Sequence, residues 1–175
     1  MKKSILLLLL SFSCFQFAYS QKTFNWDVID SIPKSKDQIY LSAKSFIVDY
    51  WKSANNVIQL DDKENGIIVI KAVSVQKKFF QMNDHVYVFP YTVKFQMKNN
   101  KYRVIIENVH CESALCQNVK WPLLPITFEY PGYMKTSLSE KRFNEIMSDL
   151  HFEMENIISN FKTYISKNES TNNDW

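Results

Sequence analysis

Glycine is almost missing: only Gly66 and Gly132 occur among the 175 residues. A phosphate-cradling glycine loop is therefore excluded, and neither Gly-x-Ser-x-Gly nor His-Glu-x-x-His occurs. There is no internal repeat and no Gly/Ser linker, which speaks for a single domain rather than an array. After residue 20 no apolar run approaches the roughly 20 residues of a membrane-spanning helix. An excess of one charge is also lacking, with 21 bases against 18 acids. Such a balance gives no strong field to gather polyanions, so nucleic acid is not an expected partner. The three histidines, His85, His110 and His151, each stand without a local ligand or catalytic pattern.

The first twenty residues are different. Lys2 and Lys3 precede the apolar run Ile5 to Leu10, and the segment ends Ala18-Tyr19-Ser20, the order of a secretory signal. Residues 1–20 are therefore expected to be removed before Gln21, leaving an exported chain, periplasmic or extracellular, with no membrane-spanning segment. Its net charge falls from +3 to +1 with the loss of Lys2 and Lys3. A rival reading makes Cys14 the lipid-bearing residue of a lipoprotein, although Ser11 and Phe12 fit that signal poorly.

Beyond the leader only Cys111 and Cys116 remain, in the stretch "CESALC". In an oxidising compartment they are expected to close a small disulfide loop. The alternative, a zinc cluster of His110, Cys111 and Cys116, lacks a fourth ligand nearby in sequence. No metal and no cofactor are expected.

Hydrophobic spacing then lays out the elements. Phe24 to Ile29 reads as an N-terminal strand. Ser35 and Gln38 have capping-box spacing, and Ile39, Ala43, Phe46, Ile47, Tyr50 and Trp51 form the stripe of an amphipathic helix. In "HVYVFPYTVKFQMKNNKYRVIIENVH" the odd positions from Tyr87 to Met97 are apolar, the period of a half-buried strand. A two-residue turn at Asn99-Asn100 sets Lys98 opposite Lys101, Phe95 opposite Val104 and Val93 opposite Ile106. Continued without a break, that register puts Tyr91 opposite Asn108 and Phe89 opposite His110, with His110 and His85 on the inward side. The outward side carries Lys94, Lys98, Lys101 and Arg103, four bases that read as a soluble face.

The stretch "NVIQLDDKENGIIVIK" holds Asp61, Asp62 and Glu64 in front of Asn65-Gly66. A hairpin tip with its acids in water is the expectation; a weak cation site is the alternative, without the twelve-residue frame of a calcium loop. In "VKWPLLPITFEYPGYM", Pro122, Pro125 and Pro131 forbid a helix and confine any strand to Ile126–Tyr130, at an edge. Ser137 and Glu140 read as a second capping box before a long apolar stripe from Phe143 to Ile165. A helix of about 28 residues at 1.5 Å per residue is long enough to cross a whole sheet. Residues 168–175 read as a solvated tail.

The chain between about Lys34 and His110, and above all Ala54-Asn55-Asn56…Ile58-Gln59…Asp61-Asp62-Lys63-Glu64-Asn65-Gly66-Ile67-Ile68, resembles a family of exported bacterial proteins known as a domain of unknown function with a TATA-binding-protein-like fold. The resemblance implies a fold and no activity, carries no catalytic residues, and implies no DNA binding.

Together these features predict one α+β domain over residues 21–167. An antiparallel sheet of four to five strands packs against an N-terminal helix and a long C-terminal helix. The expected role is a non-catalytic binding or interaction module in which Tyr87, Phe89, Tyr91, Trp121 and Phe128 line an aromatic groove. Its partner would be an apolar small molecule or another envelope protein. A metal-dependent or hydrolytic enzyme using His110, Cys111 and Cys116 is the alternative.

Overall fold

In the computed structural model, residues 25–52, 54–80, 83–112 and 139–167 are described. Strand β1 (Trp26–Ser31) leads to helix α1 (Lys36–Trp51) and the short helix α2 (Ala54–Val57). Strands β2 (Ile58–Asp62), β3 (Ile67–Phe80), β4 (Asn83–Lys98) and β5 (Lys101–Glu107) follow, and α3 (Glu140–Lys167) closes the order. The five strands form one antiparallel sheet in the order β1-β5-β4-β3-β2. The α+β architecture is the expected one, with β1 supplying the fifth strand.

Helix α1 starts where its sequence says it should. The Ser35 hydroxyl accepts from the Gln38 backbone N–H, and the Gln38 side chain accepts from the Ser35 N–H at 2.9 Å, a reciprocal capping box. The helix ends at Lys52, whose left-handed φ of 54° breaks the repeat.

The β4–β5 hairpin keeps the expected register from Lys98↔Lys101 to Thr92↔Glu107. Asn100 takes the left-handed φ of 63° at its tip. The tip is also tied down: the Asn99 side chain accepts from the Lys36 N–H at 2.8 Å, and the Asn100 N–H donates to the Lys34 carbonyl at 2.9 Å. These bonds fix the start of α1 against the end of the hairpin.

Core packing follows from the inward side of that hairpin. Phe46 of α1 and Phe161 of α3 meet with ring centres 5.2 Å apart, and Phe161 lies 4.9 Å from Phe95 of β4 and 5.0 Å from Tyr102 of β5. All four rings are buried. Fully burying a Phe relative to leaving it exposed is worth about 1.5–3 kcal/mol, so this quartet is a principal reason the two helices stay on one face. Residues Phe143, Ile146, Met147, Leu150, Met154, Ile157, Phe161 and Ile165 of α3 are all buried, at spacings of three and four. Buried Lys34 donates from Nζ to the Ile165 carbonyl at 2.6 Å, a cation at the C-terminal end of α3 where the helix dipole is negative.

The β2–β3 hairpin has its tip where expected, a four-residue loop from Lys63 to Gly66. Two expectations are corrected. Helix α3 begins at Glu140, directly after Ser139, whose carbonyl accepts from the Phe143 N–H; Glu140 therefore cannot be the third helical residue behind a cap at Ser137, which lies outside the described residues. Second, the β4–β5 register slips by one residue beyond Glu107. The His110 N–H donates to the Pro90 carbonyl and the Glu112 N–H to that of Val88, so His110 does not stand opposite Phe89 nor Asn108 opposite Tyr91. Asn108, at a left-handed φ of 58°, is the extra residue, acting as a bulge does.

Candidate functional site

The slip at Asn108 decides what the Cys-His stretch can do. An inserted residue exchanges the two sides of an extended chain. Val109 and Cys111 become buried, while His110 turns outward, half-exposed, with Nδ1 at 2.8 Å from the Asn108 carbonyl and Nε2 at 3.0 Å from Glu112. His110 and Cys111 therefore lie on opposite sides of the chain and His85 is not brought to His110. Cys116 lies outside the described residues. Among the described residues no three His, Cys, Asp or Glu side chains converge on one point.

The acids of the β2–β3 loop also diverge. Asp61 points to α1, accepting from the Tyr40 hydroxyl and from Lys44 Nζ at 2.7 Å. Asp62 accepts from the Asn65 N–H at 2.9 Å and its side-chain amide at 2.7 Å, and these bonds hold its carboxyl below the usual carboxylate range. Glu64 contributes its backbone carbonyl to Lys36 Nζ at 2.8 Å. The cluster is a braced hairpin tip. Gly66 is required there: its φ is +65°, and a Cβ would stand 2.6 Å from the Met97 carbonyl oxygen, while its own carbonyl accepts from the Met97 N–H.

The inward side of β4 holds Tyr87, Phe89 and Tyr91, exposed by 5%, 0% and 3%. These three residues of the expected groove are part of the same core as the helices; Trp121 and Phe128 lie outside the described residues. Burial pushes the Tyr91 hydroxyl up, partly opposed by a 3.4 Å bond from Trp51 Nε1. Close by, Glu153 of α3 accepts from the buried Ser74 hydroxyl at 2.5 Å and from Gln76 Nε2 at 2.9 Å. Sequence reasoning missed this polar seam, because nothing local links Ser74 to a helix 79 residues away.

Among the described residues, two surface depressions lie beside the helices. One of about 340 Å³ is floored by Asp30, Tyr102 and Lys162. There Lys162 Nζ lies 2.7 Å from Asp30 and holds its carboxyl low, and burial raises the Tyr102 hydroxyl. The other, about 300 Å³, lies between Phe46, Tyr50 and Tyr164, where the Tyr164 hydroxyl donates to Asp49 at 2.7 Å. In both, the polar groups are spent on one another.

The outward side of the sheet is of another kind. Val73, Val75 and Phe79 of β3 are exposed by 53%, 52% and 73%, Ile29 of β1 by 65% and Val86 of β4 by 38%. Lysines 71, 77 and 94 share this side. The signal in the sequence is the alternation of "KAVSVQKKFF", which by itself does not say which side is turned to water. Arg103, on the same side, is neutralised by a two-pronged bond to Asp27, which lowers the Asp27 carboxyl and raises the guanidinium.

An antiparallel sheet with α1 and α3 on one face and, among the described residues, no helix or strand over the other is an α+β fold of TBP-like type. Residues 26–112 match the family described as a domain of unknown function (DUF4468) with TBP-like fold, and this part of the chain belongs to it. The match begins at β1 rather than at Lys34. A DUF4468 family protein from Bacteroides ovatus superposes with a TM-score of 0.56 at 13% identity, over 79% of this chain and 85% of that one. A TBP-like protein from Parabacteroides distasonis gives 0.59 at 11% identity, over 82% and 93%. At such identities the likeness is one of fold. No curated protein matches. No helix among the described residues is long and apolar enough to cross a membrane.

Proposed function

We propose that the protein is an exported, non-catalytic interaction module of the cell envelope, which engages another protein through the open side of its sheet. The observation that carries this reading is the exposure of Val73, Val75 and Phe79 on that side, while Tyr87, Phe89 and Tyr91 are consumed in the core. Asp61, Asp62, Tyr40 and His110 are engaged with local partners rather than aimed at a common point, and among the described residues no three His, Cys, Asp or Glu side chains converge. Export rests on the leader of residues 1–20, and in an oxidising compartment Cys111 and Cys116 close a disulfide.

A photoreactive side chain placed at Phe79, Val86 or Ile29 in the intact envelope tests the interaction. Cross-linking to a discrete partner from these positions, and none from the hairpin tip at Asn99, is expected. Equal yields from both sets, or none, would remove the reading. N-terminal sequencing should begin at Gln21, and two thiols should appear only after reduction.

A further inference from the structure

Among the described residues, the outward side of the sheet adjoins an edge that no strand pairs. Strand β3 is 14 residues long, yet β2 pairs only with Ile67 to Ile70. Among the described residues no strand lies beside residues 71–80 on the flank away from β4.

The direction of the main-chain groups along that flank follows from neighbouring bonds. In β4, Val88 and Pro90 turn their carbonyls to the chain beyond β5, whereas Met97 turns its N–H to Gly66 at the start of β3. Even-numbered β4 residues thus bond toward β5 and odd-numbered ones toward β3. In the register Tyr91↔Ala72, Phe89↔Ser74 and Tyr87↔Gln76, it is the even-numbered residues of β3 that bond β4. The odd-numbered ones, from Lys71 to Phe79, direct N–H and C=O to the open edge. The same residues place their side chains on the open side, in the order Lys, Val, Val, Lys, Phe at every second position.

We infer that this edge of β3 accepts an extended strand from a partner protein in which apolar and acidic residues alternate. The inference rests on the interaction reading above and names the kind of partner. Strand addition satisfies the main-chain groups, and the alternate side chains give specificity. Lys71 and Lys77 have no acidic partner among the ion pairs of the described residues, so carboxylates on the incoming strand supply the complementary charge. Val73, Val75 and Phe79 take its apolar residues.

A second copy of this chain fits less well. Glu153 reaches both Ser74 and Gln76, so α3 lies close over β3. Joining two such edges about 4.8 Å apart would drive two copies of α3 together, since packed helices need 8–10 Å between axes. A bare extended peptide brings no helix.

The test uses purified protein and a fluorescent peptide, Val-Thr-Glu-Thr-Val-Thr-Val-Thr-Glu, which antiparallel to residues 79–71 sets Glu against Lys77 and Lys71. Saturable binding is expected, with slowed amide exchange at Val73, Val75 and Lys77. Replacing both Glu by Lys should weaken binding by about tenfold or more, the size of one lost charge-assisted contact. Val75→Pro, which removes an edge N–H without touching the β4 ladder, should weaken it similarly while leaving the circular dichroism unchanged. With Lys77→Glu each peptide makes one attractive and one repulsive pair, so the preference should disappear, and with Lys71→Glu and Lys77→Glu together it should reverse. Equal binding of both peptides to the unaltered protein, or none, overturns the inference; so does protection of the edge amides in a self-associated species, which assigns the edge to a second copy. If the peptides fail while envelope cross-links at Phe79 and Val86 persist, strand addition falls and the interaction reading stands.

Discussion

Val93 and Phe95 on the inward side of β4 are wholly buried, whereas Val73 and Val75 on the outward side of β3 keep half their surface in water. Both pairs are β-formers in the same sheet, and the residue types alone do not tell them apart. What separates them is the cover. Two helices close one side, drawn there by the Phe46–Phe161–Phe95–Tyr102 cluster, and among the described residues no helix or strand lies over the other. An apolar side chain that is covered holds the fold, and one left in water is available to a partner.

The contrast is broken most directly at the two phenylalanines. Phe161→Ala should cost about 3–5 kcal/mol in a urea titration, since the quartet loses its centre. Gly66→Ala should cost at least the about 1–2 kcal/mol of a left-handed non-glycine residue, with more added by the contact to Met97. Ser35→Ala removes the cap of α1 and should cost about 0.5–2 kcal/mol in the same titration, a loss the core does not repair.

At alkaline pH the two buried tyrosines sharpen the comparison. Tyr91 and Tyr102 have hydroxyls whose pKa is raised by burial, so the folded chain holds protons that the unfolded chain has released. Stability is complete below the ordinary tyrosine value of about 10 and falls as pH rises above it. Tyr91→Phe should flatten that decline in thermal melts taken as a pH series. The smallest effect is reserved for the open side: Phe79→Ser should change stability by no more than about 0.5 kcal/mol while removing the cross-link or peptide binding. A large loss of stability from Phe79→Ser would mean that side is core after all.

Much of the architecture was legible because local chemistry and periodicity agreed. The Ser35–Gln38 box, the odd-numbered apolar positions of β4 and the 3–4 spacing of α3 each point to the observed element. The failures share a cause. The slip at Asn108 is one backbone angle that alternation cannot reveal, and it moved His110 from the inward side to the outward. Tyr87, Phe89 and Tyr91 are buried on the inward side as their alternation requires, but a strand pattern says which side a residue faces and not what fills the space beyond it.

The sequence by itself determined the periods, the cap of α1, the hairpin tips and the balance of charge, because each depends on residues within a few positions of one another. Tertiary structure alone decided which apolar side is covered, that Ser74 meets Glu153, and that β3 runs on for ten residues beyond its pairing with β2. Those depend on contacts between distant segments, where burial and strand length are fixed by the partner and not by the residue.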